Sequence, residues 1–532
     1  MRRLCGKTVT AERNRGRNTE KERKFAEVRK RLERKPRRCG RRMPALFGTT
    51  LLLALCLAGC DAPAESAETG TAGRGTEAGA AAPGRHEVLL QEDAALLDGE
   101  ETALTDGALV LREAGEYELS GSLRDGRILI AVDGEDSEVL LVLNGVSVRC
   151  SDGPALEALQ ADRLTLSLAE GTENSLHSGG SDMPAPEKDA TGAALRTEGS
   201  LTLEGSGRLT VEGFINNGIA CKKDLRILGG QLKVTAANCG IRANRSLELR
   251  DGAVSITAGN DGLCTRSDKL QGDMELSGGS LTVRAGGDGI SSSATLLLAG
   301  GTAEITTTGD PEIRSSRGIR AEQEIRLTGG EVSVSSTGHA LRGGEGVSVS
   351  GGSLLLRSSQ GKGLAAAGAV RIEGDPVILV EAADNGLETE TDLVIAGGSL
   401  RVTAGGDGLR AGDSGTGQGT LTVSGGETHV SAGRDALDAK IRMSISGGRL
   451  FAAGNSYRLR PFTGEGGQAF LSVKLDAPAE GRFSVRDAGG RELDVLEAEY
   501  PADTVHVSAP ELVRGESWEL QTGEGTVTLT AN

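Results

Sequence analysis

Aromatic residues are scarce: the 532-residue chain has seven Phe, three Tyr and one Trp. A compact globular core of this length would normally bury many more rings. The 80 glycines follow no three-residue period, which excludes a collagen helix. The main apolar run, residues 44–58, is too short to span a bilayer as a helix. Cysteine is sparse in the body of the chain. Cys150, Cys221, Cys239 and Cys264 have spacings that match no zinc site, so they read as small, mostly unpaired residues of a β core. The five His form no defensible Ser-His-Asp arrangement, and no motif singles out a glycosidase pair among the many carboxylates.

Charge is unevenly divided. Residues 1–42 are basic, with 18 Lys/Arg against 5 Asp/Glu. The whole chain carries −16, so residues 43–532 carry −29. Such a body repels phosphates, which argues against nucleic acid as a partner. It is compatible with divalent cations, basic partners or simple solubility.

The apolar run follows Arg37, Arg38, Arg41 and Arg42 and ends in Leu57-Ala58-Gly59-Cys60. This is the layout of a secretory signal, and its end resembles a bacterial lipobox. The resemblance implies cleavage before Cys60, lipid transfer to its thiol, and an exported protein anchored to the outer face of the bacterial cell membrane. Residues 1–60 therefore read as a basic extension and signal. Residues 61–85, rich in Ala, Gly, Thr and Glu, read as a flexible linker.

What the chain has in abundance is a repeat. A turn motif, an often polar residue followed by Gly or Ala and then Ile or Leu, occurs ten times. It begins at Asn217-Gly218-Ile219 and ends at Asp435-Ala436-Leu437. The steps are 22, 22, 27, 29, 22, 23, 23, 22 and 28 residues. Each period holds two further alternating runs, such as Leu225-Arg226-Ile227 and Leu232-Lys233-Val234, separated by a Gly-rich turn such as Gly229-Gly230. Three short strands per 22 residues predict one coil of an all-β, single-stranded, right-handed parallel β-helix. One coil cannot bury its own apolar face, whereas stacked coils share one continuous aliphatic core. The repeats span 191–455. Irregular strands over 86–190 predict N-terminal coils and a cap, and residues 456–532, which contain Trp518, Tyr457 and Tyr500, predict a C-terminal β cap.

From about residue 86 onward the sequence resembles the bacterial carbohydrate-binding domain-containing proteins, surface β-helices similar to pectate lyases. The matching stretches are Leu143-Asn144-Gly145-Val146, Gly171-Thr172-Glu173-Asn174 and Gly205-Ser206-Gly207-Arg208-Leu209-Thr210-Val211, together with the Asp-Gly-Ile/Leu turns and Asp435-Ala436-Leu437-Asp438. The resemblance implies binding of a plant-type polysaccharide, cellulosic or pectin-like, with calcium in the β-helix and no general lyase activity. This chain departs from the pattern where Arg317, His339 and Lys362 stand in places usually held by acids, and where Ala436 replaces a Gly.

Equivalent residues of successive coils lie within ~5 Å, so carboxylates at one turn position cluster and need compensation. One cluster is Asn260, Asp261 and Asp288, with Asp268 and Asp273 on the inserted loop. The other is Asp384, Asp407, Asp435 and Asp438, with Glu388 nearby. Hard oxygen ligands in such turns suit Ca²⁺. The alternative is that Asp/Asn-Gly pairs only form turns and side-chain ladders. The repeats lack an aromatic platform for flat sugar stacking, so hydrogen bonding or calcium bridging to uronates is the easier route. Arg317, Arg342 and Lys362 lie near one face, where a β-elimination would need a base. The reading is a non-catalytic polysaccharide-binding lipoprotein assisted by calcium. The alternatives are a calcium-dependent polysaccharide lyase and a structural or adhesive surface protein.

Overall fold

The computed structural model describes residues 84–532, except residues 135, 180–191, 268–271, 313–314, 413–416, 457–458, 461 and 463–466. Cys60 and Asp268 lie outside the described residues, and Tyr457 does too. The described residues form strands and turns without an α-helix. The parallel strands stack as a β-solenoid of about 13 turns, as the repeat predicts.

One coil shows why. Asn217–Cys221, Asp224–Ile227 and Gln231–Ala236 are its three strands. The next coil repeats them as Ile241–Ala243, Ser246–Leu249 and Ala253–Ala258. Parallel register places Ile219 on Ile241, Leu225 on Leu247, and Leu232 and Val234 on Val254 and Ile256. Alternate residues point inward, so like stacks on like and the aliphatic side chains form one continuous core. The first strands of the coils make a 14-stranded parallel sheet. The second and third strands belong to a 31-stranded sheet, because Glu138–Cys150, Leu393–Ala404 and Thr420–Ala432 run unbroken through the corner between them.

The corner between the second and third strands turns on the second glycine of the Gly-Gly pairs. Gly330 has φ +79°, and a Cβ there would stand 2.9 Å from backbone atoms of Gly300 in the coil beneath. We expect Gly330→Ala to cost about 1–2 kcal/mol for the left-handed conformation alone. The urea midpoint of unfolding reads this, and an unchanged midpoint would show that the corner can relax.

Both ends of the stack depart from the coil pattern. Arg85–Glu92 lies parallel to Gly115–Leu123, and antiparallel strands Ala94–Leu97 and Glu100–Thr102 fold back over it. At the other end, the last third strand, Arg449–Gly454, pairs antiparallel with Glu492–Ser508. That strand forms a long hairpin with Phe470–Asp487, and Ser517–Thr522 and Gly525–Thr530 complete an antiparallel unit. Phe451, Phe483 and Trp518 are buried in a separate core beneath it. The scarce aromatics thus serve largely where coil stacking stops.

The cysteines correct one expectation. Cys239 and Cys264 form a disulfide between adjacent coils. Cys150 and Cys221 are unpaired and buried, as expected, and burial pushes the Cys221 thiol up to about 12.

Candidate functional site

The residue before each Gly-Ile/Leu turn forms a column along the solenoid. Gly318 shows how tightly this edge packs: a Cβ there would meet Val334 Cγ1 at 2.0 Å and the Ala340 carbonyl oxygen at 2.6 Å. The column is a hydrogen-bonded ladder. A side chain in one coil accepts the backbone N–H of its counterpart in the next. Asp288 N–H donates to Asp261 at 2.9 Å, and Arg317 N–H donates to Asp288 at 2.8 Å. Further along, Asp407 N–H donates to Asn385 at 2.7 Å, and Asp435 N–H donates to Asp407 at 3.3 Å. This arrangement uses one oxygen of each carboxylate in the turn itself.

The second oxygens of Asp261 and Asp407 face arginines. Arg266 lies 3.3 Å from Asp261. Arg410 lies 3.3 Å from Asp407 and 3.9 Å from Asp438, while Arg434 reaches Asp407 at 3.5 Å and Arg460 pairs with Asp438. Burial raises the Asp407 carboxyl above its ordinary value even with Arg434 and Arg410 beside it. Asp261 is raised by burial and by Asp288. Asp384 falls one position away from the column: its carbonyl pairs with Gly406, and Asn385 is the residue in line with Asp407. Asp273 accepts the Thr295 N–H at 3.2 Å on the second strand.

The structure therefore brings Asp407, Asp435 and Asp438 into neighbouring coils, and separately Asp261 and Asp288, and sets guanidinium groups beside Asp261, Asp407 and Asp438. Among the described residues, no group of three or more Asp, Glu, His or Cys side chains could hold a metal ion. As described, Asp261 with Asp288, and Asp407 with Asp435 and Asp438, do not converge as three ligands on one point. We expect millimolar calcium and EDTA to leave the melting temperature of the chain within about 2 °C, less than ligand linkage of roughly 2.7 kcal/mol would produce. A calorimetric shift larger than this, lost in Asp407→Ala with Asp435→Ala, would restore the calcium reading.

Between the two acidic sets the column changes sign. Arg317, His339 and Lys362 occupy three consecutive rungs. The middle residues of the adjacent first strands add Arg320 and Arg342, which pair in register. His339 takes the place of Asn or Asp in the ladder, with Nδ1 accepting the Lys362 N–H at 3.0 Å. Only a neutral ring with its proton on Nε2 can do this. Burial, with Lys362, Arg317 and Arg342 nearby, pushes its pKa down to about 4. Lys362 itself reaches Glu388 at 2.7 Å, and Arg320 pairs with Glu322. The Arg317 and Arg342 guanidinium groups have no hydrogen-bond or ion-pair partner among the described residues. Burial, together with Arg320 and Arg342 and opposed by Asp288, lowers the Arg317 pKa. The result is a compact cationic face with open donors on an acidic chain. The sequence marks Arg317, Arg342 and Lys362. Arg320, Arg410 and Arg460 were missed, although aligning the residue two places after each turn Gly exposes Arg320 and Arg410.

The family pattern of the carbohydrate-binding domain-containing proteins matches residues 105–363 and 354–460, more than half of the chain. The chain belongs to this family. A carbohydrate-binding domain-containing protein of Acetivibrio thermocellus is 30% identical over 135 residues, which are 25% of this chain and 47% of the relative. The chain thus spans about half the length of that curated relative. A solved gadolinium derivative of a polysaccharide lyase-like protein from C. thermocellum is 23% identical, with a TM-score of 0.35, and covers 56% of this chain and 97% of its own. The cationic face lies at the end of the first matched segment, and Arg317, Arg320, Arg342 and Lys362 all fall within it.

Proposed function

We propose that this family member is a non-catalytic polysaccharide-binding protein that takes an acidic, uronate-bearing glycan on the Arg317–Arg342–Lys362 face. The carrying observation is that the Arg317 and Arg342 guanidinium groups, on adjacent coils beside Lys362, have no ion-pair partner among the described residues of a body that is otherwise negative. Arginine recognises carboxylate with two parallel hydrogen bonds, and an N–H that is not already paired needs no ion pair broken first. Here the cationic charge that calcium would have supplied comes from side chains. Family membership supports carbohydrate as the ligand class.

His339 favours binding over elimination. Its Nδ1 lone pair is engaged by Lys362 N–H, so the ring can donate from Nε2 but has no free lone pair to take a proton. The lyase reading stands second on one observation, the lowered pKa of Arg317. Release of unsaturated uronates from polygalacturonate, followed by ultraviolet absorbance, would decide for it.

The binding test is calorimetric titration with a galacturonate hexamer. Arg317→Ala combined with Arg342→Ala should weaken binding by about tenfold or more, the loss of a charged hydrogen-bond pair, and added salt should weaken the wild type. Equal affinities in the two proteins would remove this face from the reading.

In the same reading the solenoid stands outside the cell, tethered through lipid on Cys60 by residues 61–85. The Leu-Ala-Gly-Cys end of the apolar run supports this. Cys60→Ala should lose both lipid labelling and membrane retention in a fractionation experiment. A variant retained as well as the wild type would contradict it.

A further inference from the structure

The second strands of the N-terminal coils carry a groove of about 360 Å³ that shares no residue with the cationic face. Three stacked strands make it: Arg163–Leu168, Ser200–Gly205 and Asp224–Ile227. Register places Ser200 beside Arg163 and puts Thr202 between Thr165 and Arg226. The middle coil thus presents two short side chains, Ser200 beside Arg163 and Thr202 beside Arg226, and a trough opens above it. At one end Gly199 packs against the coil beneath, where a Cβ would stand 2.1 Å from the Ala161 carbonyl oxygen. Over that end Lys223 reaches across the middle coil to Asp162, with an Nζ–Oδ1 distance of 2.9 Å.

The walls are held in place by their own pairs. Arg245 Nε donates to Asp224 at 2.7 Å, and Ser246 Oγ donates to the same carboxylate at 2.7 Å. The floor is different. The hydroxyls of Thr165, Ser200 and Thr202 are half-buried and have no protein partner among the described residues. Three carboxylates and four cationic groups line the groove, so its formal charge is nearly balanced. No aromatic ring is among its lining residues.

This chemistry selects a ligand. A balanced rim gives no strong pull on an anion or a cation, and a polar floor disfavours an apolar guest. Open hydroxyls, each able to donate and accept, lie beside fixed carboxylates and guanidinium groups, which suits a partner whose own groups also do both. The volume is at the small end of ligand sites, enough for a sugar ring or two. We propose that this groove is a second glycan subsite, which takes a neutral sugar through vicinal hydroxyls on the Thr165–Ser200–Thr202 floor. The proposal rests on the glycan-binding reading and adds to it a site and a ligand class that the cationic face does not serve.

The test titrates the full chain with a neutral β-1,4-linked glucose hexamer and, separately, with the galacturonate hexamer. Thr202→Arg fills the floor with the residue type that Arg226 already places in the same column of the next coil, so the coil can accommodate it. It should weaken binding of the neutral hexamer by at least about tenfold and leave the acidic hexamer within about twofold. Ser200→Gln, a shorter filling, should act in the same direction, and melting curves confirm that both variants are folded. If both folded variants keep wild-type affinity for the neutral hexamer, or the wild type binds only the acidic one, the groove proposal falls and the cationic face stands. Binding of neither hexamer by the wild type overturns the glycan-binding reading and this proposal with it.

Discussion

Replacing Asp494 with Ala is expected to destabilise the protein by about 3–5 kcal/mol, the range for breaking a buried ion pair on one side. Asp494 sits on the strand that closes the last coil and is 2% exposed. Its Oδ1 lies 3.2 Å from His429 Nε2 on the preceding coil strand, and Arg449 lies 4.0 Å from Oδ2. Arg449 is itself held by Glu511 at 2.8 Å and donates to the Leu493 carbonyl at 3.2 Å. Burial alone would raise the Asp494 carboxyl. The charge and hydrogen bond of His429 and the charge of Arg449 outweigh it and hold the group below its ordinary value. A depressed carboxylate contributes stability above its unfolded pKa and loses it as pH falls through the folded value. Removing the carboxylate takes from the buried His429 its 3.2 Å partner, while Arg449 keeps Glu511. Chemical denaturation at pH 7 measures the effect, with the exposed Asp93→Ala as a control expected to stay within about 0.5 kcal/mol. A loss below about 1 kcal/mol for Asp494→Ala would mean that the closing strand is held by packing alone.

Acidification from pH 7 toward 4 is expected to remove about 3 kcal/mol of stability through His506 alone, because the folded chain holds its imidazole neutral where the unfolded chain protonates it. His506 is 2% exposed, its Nδ1 lies 2.9 Å from Ser472 Oγ, and the Phe462 ring edge packs 5.6 Å away. Burial pushes its pKa from 6.5 down to about 4. In this window the unfolded chain binds a proton that the folded chain refuses. Stability is therefore fully present above pH 6.5, falls as the pH drops, and stops falling near pH 4. His339, also lowered to about 4, adds in the same direction. Urea titrations at several pH values should show this slope, and His506→Gln should flatten it. An unchanged slope in that variant would place the acid sensitivity elsewhere.

The coil architecture was legible because each coil repeats its inward Leu, Ile and Val at matching positions. Ile219, Ile241 and Leu263 announce the stacking that the register then shows. The antiparallel unit was less legible: its longest strands run 18 and 17 residues and carry no repeat. The acidic columns were visible, but their compensation was not. Arg410 belongs to another column, and Arg460 lies beyond the last repeat. The Cys239–Cys264 pair joins different positions of adjacent coils, so a search for one repeating column cannot find it. The groove over Ser200 and Thr202 arises from side-chain size differences between coils, a contrast that a search for similarity passes over.

The direction of the closing strand also decides what this molecule can assemble into. Parallel stacking is self-templating: each coil offers the next one the row of backbone groups it needs, and an open last coil would offer the same row to the first coil of another molecule. Here the outer side of Arg449–Gly454 is taken by a strand running the opposite way. A newcomer arriving in parallel register finds that row occupied. The antiparallel hairpin thus ends parallel stacking along the third-strand column within its own chain.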